Sequence, residues 1–266
     1  MKANQILAEH VRTHPAHEWI FPRVGLYIPS GRNIPSATAH SIIDFCEIHR
    51  LPRYDIGRGC QLDMMRSQAA AEFLKSDLTH LLFLDDDHCH PYQILNKLAM
   101  SVAETVGTEN EIQVIGGMNY KRSYPHQPCV WVDRDESDPW QGDAPPDDIH
   151  ESKLGTPVTW TPGRLMRAAI IGTGSMLVAR EVFEAMEYPY FWSPIEWVRN
   201  KPAASYPGED IGFAVACRKL GIAQFCDTSC VSPHLGERFA AAADFVPSPP
   251  CESATTSQPP ATIHST

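Results

Sequence analysis

Three consecutive aspartates, Asp85, Asp86 and Asp87, follow the apolar run HLLFL at residues 80–84. Like charges packed this closely repel one another and are costly to desolvate, so the arrangement calls for a cation nearby. Asp85 and Asp87 are separated by one residue, and alternate side chains of an extended strand point the same way. Such carboxylates typically bind Mg²⁺ or Mn²⁺, whose other ligands are substrate phosphates and water. The sequence therefore predicts a divalent-metal site that holds a diphosphate.

Other uses of this acidic cluster fit the neighbouring residues less well. An EF-hand loop that begins at Asp85 needs Gly and Glu where this chain has His90 and Asn96. A phosphatase with an aspartyl nucleophile typically has Thr or Val after the second aspartate, where this chain has His88 and Cys89. Residues 88–90 are soft-metal ligands by type, but three adjacent side chains do not easily face one zinc ion. A solvated acidic loop is the plain alternative for an isolated pair of aspartates, and the buried strand before them favours the metal site.

The composition is that of a globular protein with an acidic balance. The chain has 266 residues, 43% of them hydrophobic and 20% charged, with a net charge of -10. This charge argues against broad electrostatic adhesion to nucleic acid or to an anionic membrane. No run of 18 apolar residues predicts a membrane span, and the N-terminus lacks the apolar segment of a signal peptide. The 8 scattered cysteines are typical of reduced thiols, so we expect a cytoplasmic protein.

Strand and helix patterns alternate along the first half of the chain, which predicts an α/β fold. The pattern indicates a mostly parallel sheet with helices on both faces. Ligands of such sheets bind beyond the carboxyl ends of the strands, where Pro29, Ser30 and the aspartates all follow strands. Ser36 is the expected cap of the first helix, with residues 42, 43, 45 and 46 as its apolar stripe. The predicted strands are 24–28, 53–59, 80–84 and 112–117, and the helices are 37–50, 62–76, 91–106 and 208–221, the last of them ended by Gly221.

The domain organisation follows from shifts in composition. Residues 1–22 form an N-terminal extension, and residues 23–239 form the main domain, which divides into two halves at residues 23–120 and 121–239. The acidic, Pro- and Gly-rich segment 133–151 is expected to be a solvated, mobile loop. The uncharged tail 240–266, rich in Pro, Ser and Thr, is expected to be disordered.

Four motifs occur in order over residues 24–237: MMRSQAAAEFLKSDLTHLLFLDDDHCHPYQIL, VIGGMNYKRSYPHQPCVWV, IIGTGSMLVAREVFEAM and YPGEDIGFAVACRKLGIAQFCDTSCVSPHLGE. With these motifs the chain resembles a GT-A fold glycosyltransferase of the family 2-like kind that is common in bacteria and phages. The resemblance implies a Rossmann-like, mostly parallel central sheet with a smaller antiparallel portion on the acceptor side. It also implies that residues 23–120 are the nucleotide-sugar-binding half and residues 121–239 the acceptor or catalytic half. The third aspartate, the acidic loop and the Pro-rich tail depart from the family pattern.

The resemblance also implies a set of donor-binding residues. Mn²⁺ or Mg²⁺ would bridge the aspartates and the diphosphate of a nucleotide-sugar, with a UDP-sugar as the favoured donor. Its implied protein ligands are Asp85, Asp87 and the late His234, for which a strand-end histidine without a metal is the plain alternative. The implied nucleotide-binding residues are Pro29, Ser30, Arg66, Asp85 and Asp86. An ordinary surface role is the alternative for Arg66.

Glu209 and Asp210 match an acidic pair at a helix start in this family. A sugar transfer with inversion needs a base that accepts the proton of the acceptor hydroxyl, and a carboxylate within hydrogen-bond reach can do this. Acids at a helix N-terminus are also common as simple caps. We expect Asp210 to be the base, with Glu209 as its substitute or as an acceptor-binding group.

The remaining motifs exclude some functions and leave others open. The run GTGSM at 172–176 lacks the flanking glycines of a hydrolase nucleophile elbow, and no phosphate-binding P-loop or dinucleotide fingerprint occurs. A non-catalytic nucleotide-sugar-binding protein and a Mg²⁺-dependent nucleotidyltransferase remain the alternatives. The acceptor is open between a glycan, a protein and a modified nucleic-acid base, and so is the oligomeric state. The side chains to consider for the acceptor are Lys121, Arg122, Arg134, Trp192 and Trp197, and Gly172 and Gly174 are expected to let backbone approach the sugar or acceptor.

Overall fold

The computed structural model describes residues 2–30, 34–51, 53–54, 61–121, 128–132, 156–157, 163–194 and 208–235. The predicted acidic loop 133–151 and the predicted tail 240–266 lie outside these residues, as do Arg122, Arg134 and Trp197. The division into an extension, a main domain and a tail therefore stays a prediction.

A seven-stranded sheet forms the centre of the molecule, in the order β2-β1-β3-β9-β4-β10-β7. Strands β2, β1, β3, β4 and β10 run in one direction, while β9 and β7 are antiparallel to their neighbours. The strands are β1 (Val24–Tyr27), β2 (Arg53–Tyr54), β3 (His80–Leu84), β4 (Val114–Met118), β7 (Leu165–Ala168), β9 (Ser175–Ala179) and β10 (Gln224–Val231). The predicted mostly parallel α/β sheet is confirmed.

A second, smaller sheet has three antiparallel strands in the order β6-β5-β8. Its strands are β5 (Val130–Val132), β6 (Thr156–Pro157) and β8 (Ile170–Ile171). Its strands lie within residues 121–239, the half of the main domain for which the antiparallel portion was predicted.

Helices cover both faces of the central sheet. Helices α3 (Leu62–Leu74), α5 (Arg180–Ala185) and α6 (Glu209–Lys219) contribute Phe73, Phe183 and Phe213 to the core on one face. Helices α1 (Ala3–Thr13), α2 (Ser36–His49) and α4 (Gln93–Thr105) pack on the other face. None of the helices within the described ranges is long and apolar enough to cross a membrane.

The strand before the aspartates is apolar from Leu81 to Leu84 because both of its faces are covered. Leu81 and Phe83 of β3 belong to the core under α3, whereas Leu82 and Leu84 belong to the core under α2 and α4. Each of these side chains is fully buried, which contributes roughly 1.5–3 kcal/mol apiece. The strand end that carries the aspartates is therefore held rigidly between two helical layers.

The helix ends confirm one prediction and correct another. The backbone N–H groups of Gly221 and Ile222 donate to the carbonyls of Arg218 and Cys217, so Gly221, at φ +69°, ends α6 as predicted. Ser36 does not cap α2. The helix begins at Ser36 itself because Pro35, in extended conformation, occupies the position before it, and no side-chain cap bond forms.

The expected apolar stripe of α2 is also partly wrong. Ile42 and Phe45 are buried, and the stripe continues to the buried His49, which is the spacing of one helical face. Ile43 points away from that face and is 50% exposed.

Candidate active site

The candidate site lies where the carboxyl ends of the parallel strands meet. The aspartates follow β3, Asn119 and Tyr120 follow β4, and Ser232 and His234 follow β10. The turn before the antiparallel strand β9 enters the same region, because the backbone N–H of Asp85 donates to the carbonyl of Gly174 over 3.0 Å. Three separate parts of the chain thus surround the aspartates.

Arg66 of α3 lies at the centre of an ion-pair cluster with two predicted site residues. Its side chain is fully buried, and its two terminal nitrogens donate to Asp85 Oδ1 and to Glu209 Oε1. Burial alone would lower the pKa of Arg66, but the charges of Asp85, Glu209 and Asp210 outweigh it and raise the pKa. Arg66 is therefore a permanently charged internal cation and not the ordinary surface arginine of the plain alternative.

Glu209 and Asp210 both lie in the first turn of α6, but their carboxylates accept hydrogen bonds from different donors. Glu209 accepts from Arg66 and also from the Thr173 hydroxyl, at 3.3 Å. Asp210 accepts from the backbone N–H of Ile211 over 2.9 Å and is half-buried. Both donors reach Oε1 of Glu209. Asp210 is instead anchored at the helix N-terminus, where the helix dipole favours a negative charge.

A second cluster forms where the segment after β3 pairs with the segment after β10. The N–H of Cys89 donates to the carbonyl of Pro233 over 2.9 Å, and the N–H of Leu235 donates to that of Asp87 over 2.7 Å. This pairing is an antiparallel bridge between His88 and His234. As a result, one ligand-type atom each of Asp87, His88 and His234 lies within 4.8 Å of the others.

The hydrogen bonds of His234 indicate what this cluster needs. Its Nδ1 lies 2.8 Å from the carbonyl oxygen of Tyr120, which can only accept, so Nδ1 carries the proton. Its Nε2 lies 3.2 Å from Oδ2 of Asp87. In a neutral imidazole that would set a lone pair against a carboxylate oxygen, so this pair is stabilised only when a proton or a metal ion lies between the two atoms.

Asp87 is held as an anion by its surroundings. Burial would raise the pKa of Asp87, but the adjacent imidazoles of His234 and His88 hold it well below its usual range. An ionised carboxylate with two imidazole rings is a donor set that divalent transition metals accept, so the residues fit the metal that the resemblance implies.

His88 was considered from the sequence as a soft-metal ligand but was not placed in the predicted metal site. It is 3% exposed, and neither of its ring nitrogens has a hydrogen-bond partner among the described residues. Its Nδ1 lies 2.8 Å from Oδ1 of Asp87 without hydrogen-bond alignment, and its ring stacks on that of His234 at 4.2 Å. Leaving a buried polar group unsatisfied costs about 1–3 kcal/mol, which marks His88 as a candidate ligand. Its position directly after Asp87 is the signal that the sequence carried.

His90 has a structural place in the same segment. Its Nε2 donates to the carbonyl of Asp85 at 2.8 Å, and its Nδ1 lies 3.0 Å from the Ser232 hydroxyl. Burial lowers the pKa of His90 to about 4, so it is neutral at physiological pH. It ties the chain after β3 to the chain after β10.

The other predicted site residues are placed as follows. Asp85 belongs to the Arg66 ion-pair cluster and is not one of the three residues of the Asp87, His88 and His234 group. Asp86, which lies between Asp85 and Asp87 in the sequence, is half-buried. Pro29 is buried and Ser30 half-buried after β1, the strand that pairs with β3. The strand order therefore brings the predicted nucleotide-binding residues to one edge.

Asn119 is a further residue that the sequence did not single out. Its Nδ2 donates to the carbonyl of Gly172, and its Oδ1 accepts from the Ser175 hydroxyl. A Cβ at Gly174 would lie 3.1 Å from Cγ of Asn119. The close approach at this glycine is thus to Asn119, which holds the turn that carries Thr173.

Of the aromatic and basic candidates on the acceptor side, Lys121 and Trp192 lie among the described residues. Lys121 lies over the ring of Trp131 at 5.5 Å. Trp192 packs against the core formed by α6 and the small sheet, which favours its core role.

Comparisons with known proteins bear on the fold alone. No protein-family model and no curated protein match the sequence. Among solved structures, A197 from STIV is 20% identical with a TM-score of 0.51 over 80% of this chain and 85% of that chain. This similarity supports the α/β fold seen here.

Two further structures are similar at lower TM-scores. A glycosyltransferase involved in the glycosylation of the major capsid of PBCV-1 is 19% identical, with a TM-score of 0.37 over 78% of this chain and 82% of that one. The inositol-1-phosphate CTP transferase from T. maritima is 10% identical, with a TM-score of 0.40 over 84% and 91%. Likeness at this level does not decide between functions, which must be argued from the site.

Proposed function

We propose that this protein is a metal-dependent glycosyltransferase of the hexosyltransferase-like kind, which moves a sugar from a nucleotide-sugar to an acceptor hydroxyl with inversion. The observation that carries the proposal is the adjacency of two clusters. The candidate metal ligand Asp87 is two residues from Asp85, which shares Arg66 with Glu209 beside the candidate base. A metal-type site and a base-type site therefore adjoin at the end of one sheet.

The donor would bind at the edge formed by β1 and β3. Pro29 and Ser30 would contact the nucleotide, together with Asp86 and Asp85, and a UDP-sugar is the favoured donor. Asp87 and His234 would hold Mn²⁺ or Mg²⁺, with Asp85 as a further predicted ligand. When bound, the metal offsets the charge that develops on the departing nucleoside diphosphate.

Arg66 would act on the donor through its partners. Its guanidinium is fully buried and is bonded to Asp85 and Glu209. We therefore assign it a positioning role, in place of the direct contact with the diphosphate that the resemblance implied. It fixes the separation of the two carboxylates.

Asp210 would be the general base. Its carboxylate would take the proton of the acceptor hydroxyl while the oxygen forms a bond to the anomeric carbon and the bond to the diphosphate breaks. Glu209 is less suited to this role because its Oε1 already accepts from both Arg66 and Thr173. It would instead orient the helix start or bind the acceptor.

The acceptor and the cellular setting are proposed only by class. A glycan, a protein or a modified nucleic-acid base would each offer a hydroxyl. Among the described residues, Lys121, which lies over the ring of Trp131, is the first cation to test for acceptor binding. A cytoplasmic location is in keeping with the expected reduced thiols.

The reaction products separate this function from its alternatives. The protein is incubated with Mn²⁺ and a panel of nucleotide-sugars, with and without pyrophosphate, and ³¹P NMR identifies the phosphorus products. Release of nucleoside diphosphate without added pyrophosphate supports a glycosyltransferase. Formation of nucleoside triphosphate only with pyrophosphate would indicate a nucleotidyltransferase, and tight donor binding with no product would indicate a non-catalytic binding protein.

A further inference from the structure

We propose that His88 is the third protein ligand of the metal centre, which would then consist of the Asp87 carboxylate and two imidazoles. We further propose that this donor set makes the site select Mn²⁺ over Mg²⁺. The inference rests on the metal dependence of the proposed function and deepens it, because it identifies which ion the site takes.

Among the four buried histidines of the described residues, His88 is the exception in its hydrogen bonding. Both ring nitrogens of His80 and of His90 contact polar atoms at 2.8–3.1 Å. His49 is bonded through Nε2 to the carbonyl of Tyr92. His88 has no hydrogen-bond partner at either nitrogen. A buried imidazole whose two nitrogens make no hydrogen bond is typical of a metal ligand.

The position of His88 is set by backbone and not by chance packing. Two backbone hydrogen bonds, at residues 89 and 235, pair its segment with that of His234. The two rings are nearly parallel, with an interplanar angle of 13° and centroids 4.2 Å apart. His88 Nδ1 lies 2.8 Å from Oδ1 of Asp87, and His234 Nε2 lies 3.2 Å from Oδ2. Each carboxylate oxygen therefore faces one imidazole.

Simple ring packing is the competing explanation for His88. It accounts for the stacking on His234 and for the ring of His90 at 5.8 Å. It does not account for a ring nitrogen placed beside a carboxylate oxygen without a hydrogen bond, since an apolar side chain would stack as well without that cost. A shared cation satisfies all three groups together.

The number of nitrogen ligands determines the preferred ion. Mg²⁺ takes oxygen ligands and gives up its water reluctantly. Imidazole nitrogen suits the first-row transition metals, and affinity for them rises from Mn²⁺ towards Co²⁺ and Zn²⁺. With two imidazoles and one carboxylate, the site should bind Mn²⁺ more tightly than Mg²⁺, and open positions remain for a diphosphate.

The test measures metal binding directly, without any turnover. Apoprotein is titrated calorimetrically with MnCl₂ and with MgCl₂ as wild type, His88→Ala and His14→Ala. His14 is exposed at the end of α1, which makes it the matched control. We expect His88→Ala to weaken Mn²⁺ binding by at least about 100-fold, the upper end of what loss of an outer-shell partner costs, with Mg²⁺ binding changed far less. His14→Ala should match the wild type.

Pulsed EPR of bound Mn²⁺ counts the coordinating nitrogens. We expect couplings from two imidazoles in the wild type and from one in His88→Ala. If His88→Ala does not fold, the wild-type spectrum alone decides, because one imidazole would overturn the proposal.

The outcomes separate the inference from the function on which it rests. Equal Mn²⁺ affinity and equal spectra in wild type and His88→Ala would overturn the role of His88 and leave a metal-dependent enzyme. A folded wild type that binds neither ion, with or without a nucleotide-sugar, would contradict the metal dependence itself.

Discussion

The guanidinium of Arg66 contacts the carboxylate of Glu209 across 143 residues of chain. The same side chain contacts Asp85, two residues before the candidate metal ligand Asp87. One buried cation therefore sets both the first aspartate after β3 and the start of α6. The donor-side and acceptor-side groups of the proposed enzyme are positioned by a single residue.

Replacing Arg66 should destabilise the fold strongly. Arg66→Met leaves two carboxylates without their partner, and breaking a buried ion pair in this way costs about 3–5 kcal/mol. Arg66→Lys should recover part of this loss, because one ammonium replaces the charge but not the fork that reaches both acids. Urea unfolding measures both variants.

An exposed ion pair provides the control for Arg66. Arg23 and Asp77 are 3.8 Å apart with both side chains largely in solvent, so Arg23→Met should cost less than about 1 kcal/mol. An Arg66→Met variant as stable as Arg23→Met would show that the buried cluster does not carry the stability assigned to it.

Substitutions of Asp210 and Glu209 should have different effects, the first on the reaction rate and the second on stability. Asp210→Asn should lower the rate of nucleoside diphosphate release by about 10²–10⁴-fold, the range for loss of a general base, with donor affinity nearly unchanged. Glu209→Gln removes an ionic partner of Arg66, so its main effect should be on the thermal midpoint. Rates and melting curves of both variants test this, and a fully active Asp210→Asn would remove Asp210 from the base role.

Gly212 should not tolerate a side chain, although it lies inside α6. Alanine in a helix interior is normally better than glycine by about 1 kcal/mol. Here a Cβ would lie 1.8 Å from the backbone oxygen of Trp192, and overpacking of this kind costs roughly 1–3 kcal/mol or more. We expect the overpacking to prevail and Gly212→Ala to lower the midpoint of urea unfolding.

Ala216 in the same helix provides the control, because there the ordinary preference of a helix for alanine over glycine should hold. Ala216→Gly should also destabilise, by roughly 0.5–1 kcal/mol, because glycine costs backbone entropy. Stabilisation by Gly212→Ala would mean that α6 does not approach Trp192 as closely as the structure has it.

His80 should make the fold sensitive to mild acid. Burial lowers the pKa of His80 to about 3, so the folded state stays unprotonated while the unfolded chain takes up a proton below about 6.5. Stability is then lost as the pH falls from about 6.5 towards 3, by up to about 1.4 kcal/mol per pH unit from this one group.

His80→Gln provides the comparison for this pH dependence. Glutamine can still donate to Asn4 Oδ1, which accepts from His80 Nε2 at 3.0 Å. Unfolding free energies between pH 4.5 and 7.5 should fall less steeply for His80→Gln than for the wild type. Parallel curves would exclude His80 as the source of the acid sensitivity.

The sequence predicted the parts of the fold that depend on local patterns. The run HLLFL is a strand over the predicted residues because a strand buried on both faces must be apolar throughout. Gly221 ends α6 because only a residue tolerant of positive φ suits that position. The order of strands, with antiparallel β9 inserted between β3 and β4, depends on long-range pairing that no local pattern encodes.

The candidate site could be predicted only in part for the same reason. Asp87 and His234 meet as the resemblance implied, at a contact of 3.2 Å. The place of His88 depends on backbone pairing between residues 87–89 and 233–235, which no spacing in the sequence reveals. The burial of Arg66 likewise depends on the docking of α6, since its partner Glu209 is distant in sequence.

Calorimetric binding of nucleotide-sugars tests the central claim most directly. UDP-, GDP-, CMP- and TDP-sugars are titrated into wild type and Asp87→Ala, each with and without Mn²⁺. We expect one nucleotide-sugar, with a UDP-sugar favoured, to bind the wild type in a Mn²⁺-dependent manner and Asp87→Ala to abolish this dependence. Absence of binding by any of them to folded wild-type protein, or equal binding to Asp87→Ala, would contradict this claim.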